Sequence, residues 1–543
     1  YYSNGNNFPQ NITRIGKPVI MRDYRVVNVT INPFSYNPQT KELTIYQNVE
    51  IEVETNGKAG ENIKVTNRNK SKVLQNYYNS TILNYKYLDK DKDEVQQPHY
   101  LFILPSYNTD EVDEALEPLI AWKSQKGFKI TSEDLSNIGS SSNALKNYIQ
   151  EAYDEWDIPP DFVCLVGDAD IGTYDIPTGF YGDGEGDQYF TLLEGNDILA
   201  DIIIGRLSFE SINQLETIVA KILYYEKEPY IDNPDWFERA LLVGDTAQSG
   251  QSCITVNQYI KEIMTNYDSD FTFDEVYSGS FSSQMSSGLN EGVGYFNYRG
   301  WLGMSGFGES NIYSLNNGYM LPVTVSLTCA TGNFSGSYGS ISEAFLRAGT
   351  ATIPKGGVAG IATATSSTHT CFNNIIDAGI FSGIFDDNIF YLGGALNRGK
   401  LALYNNYPDN PSNHVHEFSY WTNLMGDPGL EVWTSTPEEL EVIHAEQISA
   451  SSNYLTVKVE YNNQRLKNAW VTIVDEDNEI IASVYSDENG DALLPLQLEN
   501  VNSLLLTVTK HDFIPYQSEI DIVEDDYAAN ISNFTIDDDN IGD

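Results

Sequence analysis

The stretch that decides the fold is 293–334, VGYFNYRGWLGMSGFGESNIYSLNNGYMLPVTVSLTCATGNF. Two short apolar runs, Val293–Tyr298 and Val323–Leu327, each break directly into a small, polar, glycine-rich loop. Buried strands that end this way belong to parallel α/β sheets. Ligands and catalytic groups gather beyond the carboxyl ends of such strands. The second loop, Thr328–Cys329–Ala330–Thr331–Gly332–Asn333–Phe334, puts a thiol at that rim. Loops ending two neighbouring strands are a natural seat for a cysteine nucleophile and the histidine that activates it.

Outward from this stretch, strand and helix signals alternate. Tyr100–Leu104 predicts a strand, and Val112, Ala115, Leu116, Leu119, Ile120 and Lys123 follow at helical spacing. Lys129–Thr131, a helix over 143–155 and a strand at Phe162–Val166 complete a βαβαβ pattern and argue for a parallel sheet. A helix over 212–227 closes this first unit, and the pattern restarts at Ala240–Val243. In the second unit Cys253–Thr265 and 283–291 read as helices, with a short strand at Asp274–Tyr277 between them. Ser342–Ala348 reads as a helix, Gly357–Ala364 as a strand, Thr365–Cys371 as a loop and 391–406 as a helix. Two half-sheets side by side are expected, over 98–232 and 233–435.

Both flanks read as all-β. At the N-terminus Val27, Val29 and Ile31 alternate with polar residues, as do Val49, Ile51 and Val53 with Glu50, Glu52 and Glu54. Residues 1–97 are therefore expected to form a β-sandwich module followed by a polar linker from about Lys58 to Gln97, a place where processing would occur. Residues 436–524 carry short alternating strands, with a turn at Asp487–Asp491, and read as an immunoglobulin-like sandwich. The tail 525–543 is acidic.

The chain has 543 residues, too many for one core. Its 77 acidic and 31 basic residues give a net charge of −46, which repels nucleic acid and anionic membrane. No apolar stretch is long enough to span a bilayer. The four cysteines, Cys164, Cys253, Cys329 and Cys371, are widely spaced and form no CxxC or disulfide-dense framework. Asp183, Glu185 and Asp187 make a short oxygen-rich loop that suits either a structural Ca²⁺ or a solvated turn.

YFNYRGWLG followed by SLTCATGNF resembles the paired His and Cys motifs of the gingipain family of secreted bacterial cysteine endopeptidases, which have a caspase-like sheet. GDQYFTLLEGNDILADIIIGRLSFES (186–211), the run 421–430 and IGKPVIMRDYRVVNVTINPF (15–34) are similar to further motifs of the same family, the last to its pro-domain. The resemblance implies a mixed six-stranded sheet over 240–435 with Trp301 and Cys329 at adjacent carboxyl ends. It implies no required cofactor and a protein or peptide ligand. It implies an extracellular or cell-surface location, reached by type IX-like secretion, with a surface-anchoring or secretion partner acting through a C-terminal region outside this chain.

Carried over residue by residue, Cys329 matches the nucleophile, but Trp301 occupies the position of the family's catalytic histidine. An indole has no basic nitrogen, so it can neither take the thiol's proton nor hold a thiolate as an ion pair. It is also bulky enough to fill the space that the histidine and a substrate carbonyl would share. Asp245 falls where the family has an acid near that histidine, or is a loop carboxylate. Cys253 stands where arginine-specific members carry a pocket aspartate, so a preference for basic residues does not transfer. With Gly300 and Thr368 it is expected to line the substrate pocket. His369 is the one histidine placed to substitute as base, or else a residue of the pocket loop. Three readings follow: a peptidase homologue impaired by Trp301 that serves as a binding or scaffold protein, an active thiol peptidase with a relocated base, and a purely structural surface protein.

Overall fold

A computed structural model of the chain describes residues 6–54, 60–64, 69–88, 95–169, 172–336, 339–499 and 501–524. The acidic tail lies outside the described residues.

The βαβαβ pattern forms as the sequence predicts. Strands β1 (His99–Leu104), β2 (Lys129–Asp134), β3 (Phe162–Val166) and β4 (Ile203–Leu207) alternate with helices α1 (Thr109–Lys126), α2 (Ser142–Glu155) and α3 (Ile212–Glu226). The second unit repeats the plan with β5 (Arg239–Gly244), α4 (Ser252–Tyr267), β6 (Thr272–Val276), α5 (Phe281–Glu291), β7 (Tyr295–Arg299), β8 (Val323–Ser326), α6 (Ile341–Arg347) and β9 (Ala359–Thr363). Strands β1, β3, β4, β7, β8 and β9 are buried along their whole length, and β1 and β3 accordingly run apolar without alternating.

The expected pair of half-sheets is one ten-stranded sheet, ordered β6-β5-β7-β8-β9-β10-β4-β3-β1-β2. The join is β10 (Thr422–Met425), antiparallel to β9 and parallel to β4. Every other pairing is parallel. The two halves therefore run in opposite directions, and their carboxyl ends lie on opposite edges of the sheet. Strands β5 to β10 form the mixed six-stranded array expected over 240–435.

Sequence reading missed α7 (Thr370–Phe385), taking its start for a loop. Its apolar run contains Gly379 and Gly383, which weaken the helical signal. They are there for packing on α8 (Leu392–Asn406): a Cβ at Gly379 would lie 2.8 Å from that of Ala402 and 2.9 Å from the Cα of Gly399.

The N-terminal segment corrects the expected β-sandwich. Among the described residues its strands pair two by two, as the hairpins Thr13–Met21 with Tyr24–Ile31 and Phe34–Asn37 with Glu42–Ile45 and as the short parallel pair Lys70–Ser71 with Val95–Gln96. No strand forms at Val49–Val53, and Val53 is exposed; alternation signals a half-buried strand only where another layer covers the apolar face. The expected linker is also partly core. Gln75–Thr81 is helical, and Tyr77, Tyr78 and Tyr85 join the main hydrophobic cluster of the α/β unit. Their polar hydroxyls disguised the buried ring area.

This segment is held to the α/β unit by Arg22, which is 1% exposed. Its guanidinium pairs with Asp161 at 3.0 Å and donates to the carbonyls of Pro160 and Asp201. Asp161 and Asp201 lie just before β3 and β4, so the segment sits on the edge that also carries the ends of β7 and β8.

Residues 438–523 form two facing sheets, of five and four strands, over their own core of Leu455, Val457, Val471, Ile473, Leu494, Leu506 and Val508 among others. Gly127 at the end of α1 (φ +110°) makes the close approach to this module possible: a Cβ there would meet the hydroxyls of Thr472 and Ser483 at 2.6 Å. Among the described residues no helix is long and apolar enough to cross a membrane.

Candidate active site

Trp301 and Cys329 follow the adjacent strands β7 and β8, and their loops are laced together. Gly303 N–H donates to the Cys329 carbonyl at 2.9 Å, and Gly300 N–H to Thr328 Oγ1 at 3.2 Å. Gly300 must be glycine, because a Cβ would lie 2.4 Å from the Tyr298 hydroxyl. Ala330, directly after the thiol, has φ +60°, a left-handed conformation costly for a residue with a Cβ. Its N–H is fixed by the Thr365 carbonyl at 2.8 Å, so the turn that presents Cys329 is braced by the end of β9.

Cys329 is 8% exposed, and its Sγ has Thr368 Oγ1 at 2.9 Å. Thr368 Oγ1 also accepts from Asn373 Nδ2, which donates to the Leu327 carbonyl as well. A threonine hydroxyl cannot serve as a base near neutral pH, so this contact orients the sulfur without activating it. Trp301 does not fill the cleft as expected. It stands half exposed at the rim, beside Leu302, which is 57% exposed.

His369 caps α7. Its Nδ1 accepts from the Cys371 N–H at 3.1 Å, and the side chain is exposed. The lone pair a base would use is committed to that cap. Asp245 accepts from Ala247 N–H at 2.8 Å and from Ser305 Oγ, whose other neighbour is the Tyr298 hydroxyl at 2.7 Å. Burial pushes Tyr298 up to about 12, its hydrogen bond with Ser305 opposing. Asp245 therefore ties down the loop after Trp301. Cys253 is fully buried on α4, and burial raises its thiol against the pull of Arg299.

Arg299 is a member of the site that sequence reading did not single out. It is completely buried at the end of β7, its guanidinium shared between Asn374 Oδ1, at 2.7 and 2.9 Å, and Asp377, at 3.6 Å. Asp377 is pushed up to about 7 by burial, Arg299 opposing, and accepts from Asn297 Nδ2 at 3.1 Å. The signal lay in α7: one carboxylate inside the apolar run NNIIDAGIF must have a partner.

The oxygen-rich loop is not gathered into a cation site. Asp183 accepts from Ser367 Oγ, Glu185 from the N–H groups of Phe334 and Ser335, and Asp187 is paired with Arg206 at 2.7 Å. Among the described residues no group of three or more His, Cys, Asp or Glu side chains could hold a metal ion. Glu185 instead fixes the chain just beyond Cys329.

A model of peptidase family C25 matches residues 93–433, and a model of the C25 propeptide matches residues 1–92. Gingipain R2 of Porphyromonas gingivalis is 26% identical over 550 residues, covering 98% of this chain and 72% of that protein. The fold is similar to the crystal structure of the Arg-specific cysteine proteinase gingipain R, with a TM-score of 0.71 and 23% identity over 79% of this chain and 99% of that one. It is equally similar to the complex of the Porphyromonas gingivalis RgpB pro- and mature domains, with a TM-score of 0.71 and 23% identity over 78% of this chain and all of that one.

Proposed function

This chain belongs to peptidase family C25, its propeptide included, and we propose that it works outside the cell by binding polypeptide rather than by cleaving it. The observation that carries this reading is the pairing at the thiol: Cys329 Sγ faces Thr368, and Trp301 stands where the family histidine would be. A Cys–His peptidase needs an imidazole to keep the sulfur as thiolate and to protonate the leaving amine. An unassisted thiol, pKa about 8.5, is only a few per cent ionised at neutral pH. Losing general acid–base help typically costs a further ~10²–10⁴-fold. With neutral, buried Cys253 at the pocket position, the ligand is not selected for arginine. The half-exposed indole of Trp301 beside Leu302 suits apolar side chains of an extended or unfolded segment. The C-terminal pair of sheets is read as an immunoglobulin-like module that holds the chain in a surface assembly.

The test is fluorescence anisotropy with a labelled, carboxymethylated unfolded protein. Saturable binding, weakened several-fold by Trp301→Ala and leaving the ligand's mass intact, is the expected result. Absence of binding, or fragments formed at the rate of binding, contradicts the proposal.

A further inference from the structure

We infer that the junction of the N-terminal segment, the α/β unit and the C-terminal module is a binding site for a small aromatic anion. A cavity of about 250 Å³ opens there, away from Cys329. Its walls are aromatic: Phe390 from the α/β unit, and Trp470 and Tyr485 from the C-terminal module, stacked with ring centroids 5.6 Å apart and planes 12° from parallel. His511 lies flat against Phe390.

Three basic side chains converge on this cavity in a chain with more than twice as many acids as bases. Lys72, from the N-terminal segment, sits with its Nζ 4.7 Å from the centre of the Tyr485 ring and has no carboxylate partner among the described residues. Lys510 Nζ donates to the Lys467 carbonyl at 3.1 Å and likewise has no carboxylate of its own. Burial holds both amines below the ordinary lysine value, for Lys72 with the Lys467 charge adding to it and for Lys510 with the Glu431 charge opposing. The one carboxylate lining the cavity, Glu431, is engaged by His511 Nδ1 at 3.3 Å and by Lys126 at 3.6 Å. Two half-buried cations thus face the aromatic wall, with Glu431 the one carboxylate beside them and already shared with His511 and Lys126. A carboxylate or phosphate between Lys72 and Lys510 relieves their desolvation, and its ring slides against Trp470 and Tyr485. A cavity of this volume takes a single ring with a short acidic arm rather than a drug-sized molecule.

Calorimetric titration of the full chain with phenylacetate, phenyl phosphate, benzyl alcohol and inorganic phosphate tests this. One site per chain for either aromatic anion is expected, with benzyl alcohol and inorganic phosphate at least tenfold weaker. Lys72→Gln combined with Lys510→Gln should weaken the aromatic anions tenfold or more. In the unaltered chain, the same anions should slow acetylation of Lys72 and Lys510, read by mass spectrometry, with no effect on Lys17, which is far from the cavity. No saturable binding, equal binding of inorganic phosphate or benzyl alcohol, or acetylation unaffected by ligand each overturns the proposal.

Discussion

The two halves of the sheet have the same strand plan and opposite fates. In the first, β3 and β4 end in Gly167–Asp168 and Ser208–Phe209; in the second, β7 and β8 end at Gly300–Trp301 and Thr328–Cys329. By register Asp168 stands where Trp301 does, and Ser208 where Thr328 does. The first crevice is plugged. Arg347, reaching across from α6, pairs with Asp168 at 3.0 Å and Glu343 at 2.8 Å, and Ser208 Oγ bonds both carboxylates. All four residues are at most 5% exposed. No such charge cluster covers the second rim, where Trp301 is half exposed and Cys329 is 8% exposed. A parallel sheet offers a rim at each half; buried charge fills one, and the other carries a half-exposed indole beside a buried thiol.

The comparison breaks most readily at Arg347. Arg347→Met leaves two adjacent buried carboxylates sharing no cation, and should cost about 3–5 kcal/mol of unfolding free energy in urea at pH 7. A loss below ~1 kcal/mol would mean that the plug is ornamental.

Next in size is a pH effect. Burial pushes Glu343 up to about 7, Arg347 opposing. A carboxyl whose folded value is raised holds its proton more tightly in the native state, so its contribution is fully present below about pH 4.5 and fades as pH rises toward 7. Glu343→Gln should flatten the stability profile across that window by on the order of 2 kcal/mol. An unchanged slope would place the titration elsewhere, for instance at Asp377.

In the open half the equivalent buried cation matters less. Arg299→Met at pH 7 should cost only about 1–2 kcal/mol, because Asp377 takes up a proton and keeps its bond from Asn297. If Arg299→Met proves more damaging than Arg347→Met, the contrast between the halves fails. Smallest of all is Trp301→Ala, expected within about 0.5 kcal/mol of the unaltered chain because the indole is half exposed. A larger loss would make Trp301 a packing residue rather than a contact surface.

Much of this was legible in the residues. An unbroken apolar run such as Phe162–Val166 reads as a doubly buried strand, and the motifs around Trp301 and Cys329 marked the rim. Less was legible where tertiary contacts decide. The four residues of β10 are too short to announce a strand, yet they join the halves. Val49–Val53 alternates correctly and finds no layer to cover it. Arg299 and Asp377 are 78 positions apart in the chain, and only the fold reveals that each is the other's partner. Asp183, Glu185 and Asp187 are close in sequence, but they turn to different partners once the hairpin forms.

We propose that Cys329 has lost its base and that the chain does not hydrolyse peptide bonds. The direct measurement is turnover of an unfolded protein or a peptide library by the full chain, side by side with Cys329→Ala. Both are expected to remain at the same background rate across pH 5 to 9. Turnover that disappears in Cys329→Ala would contradict the proposal, and if the same activity also disappeared in His369→Ala, the exposed imidazole at the cap of α7 would be the base.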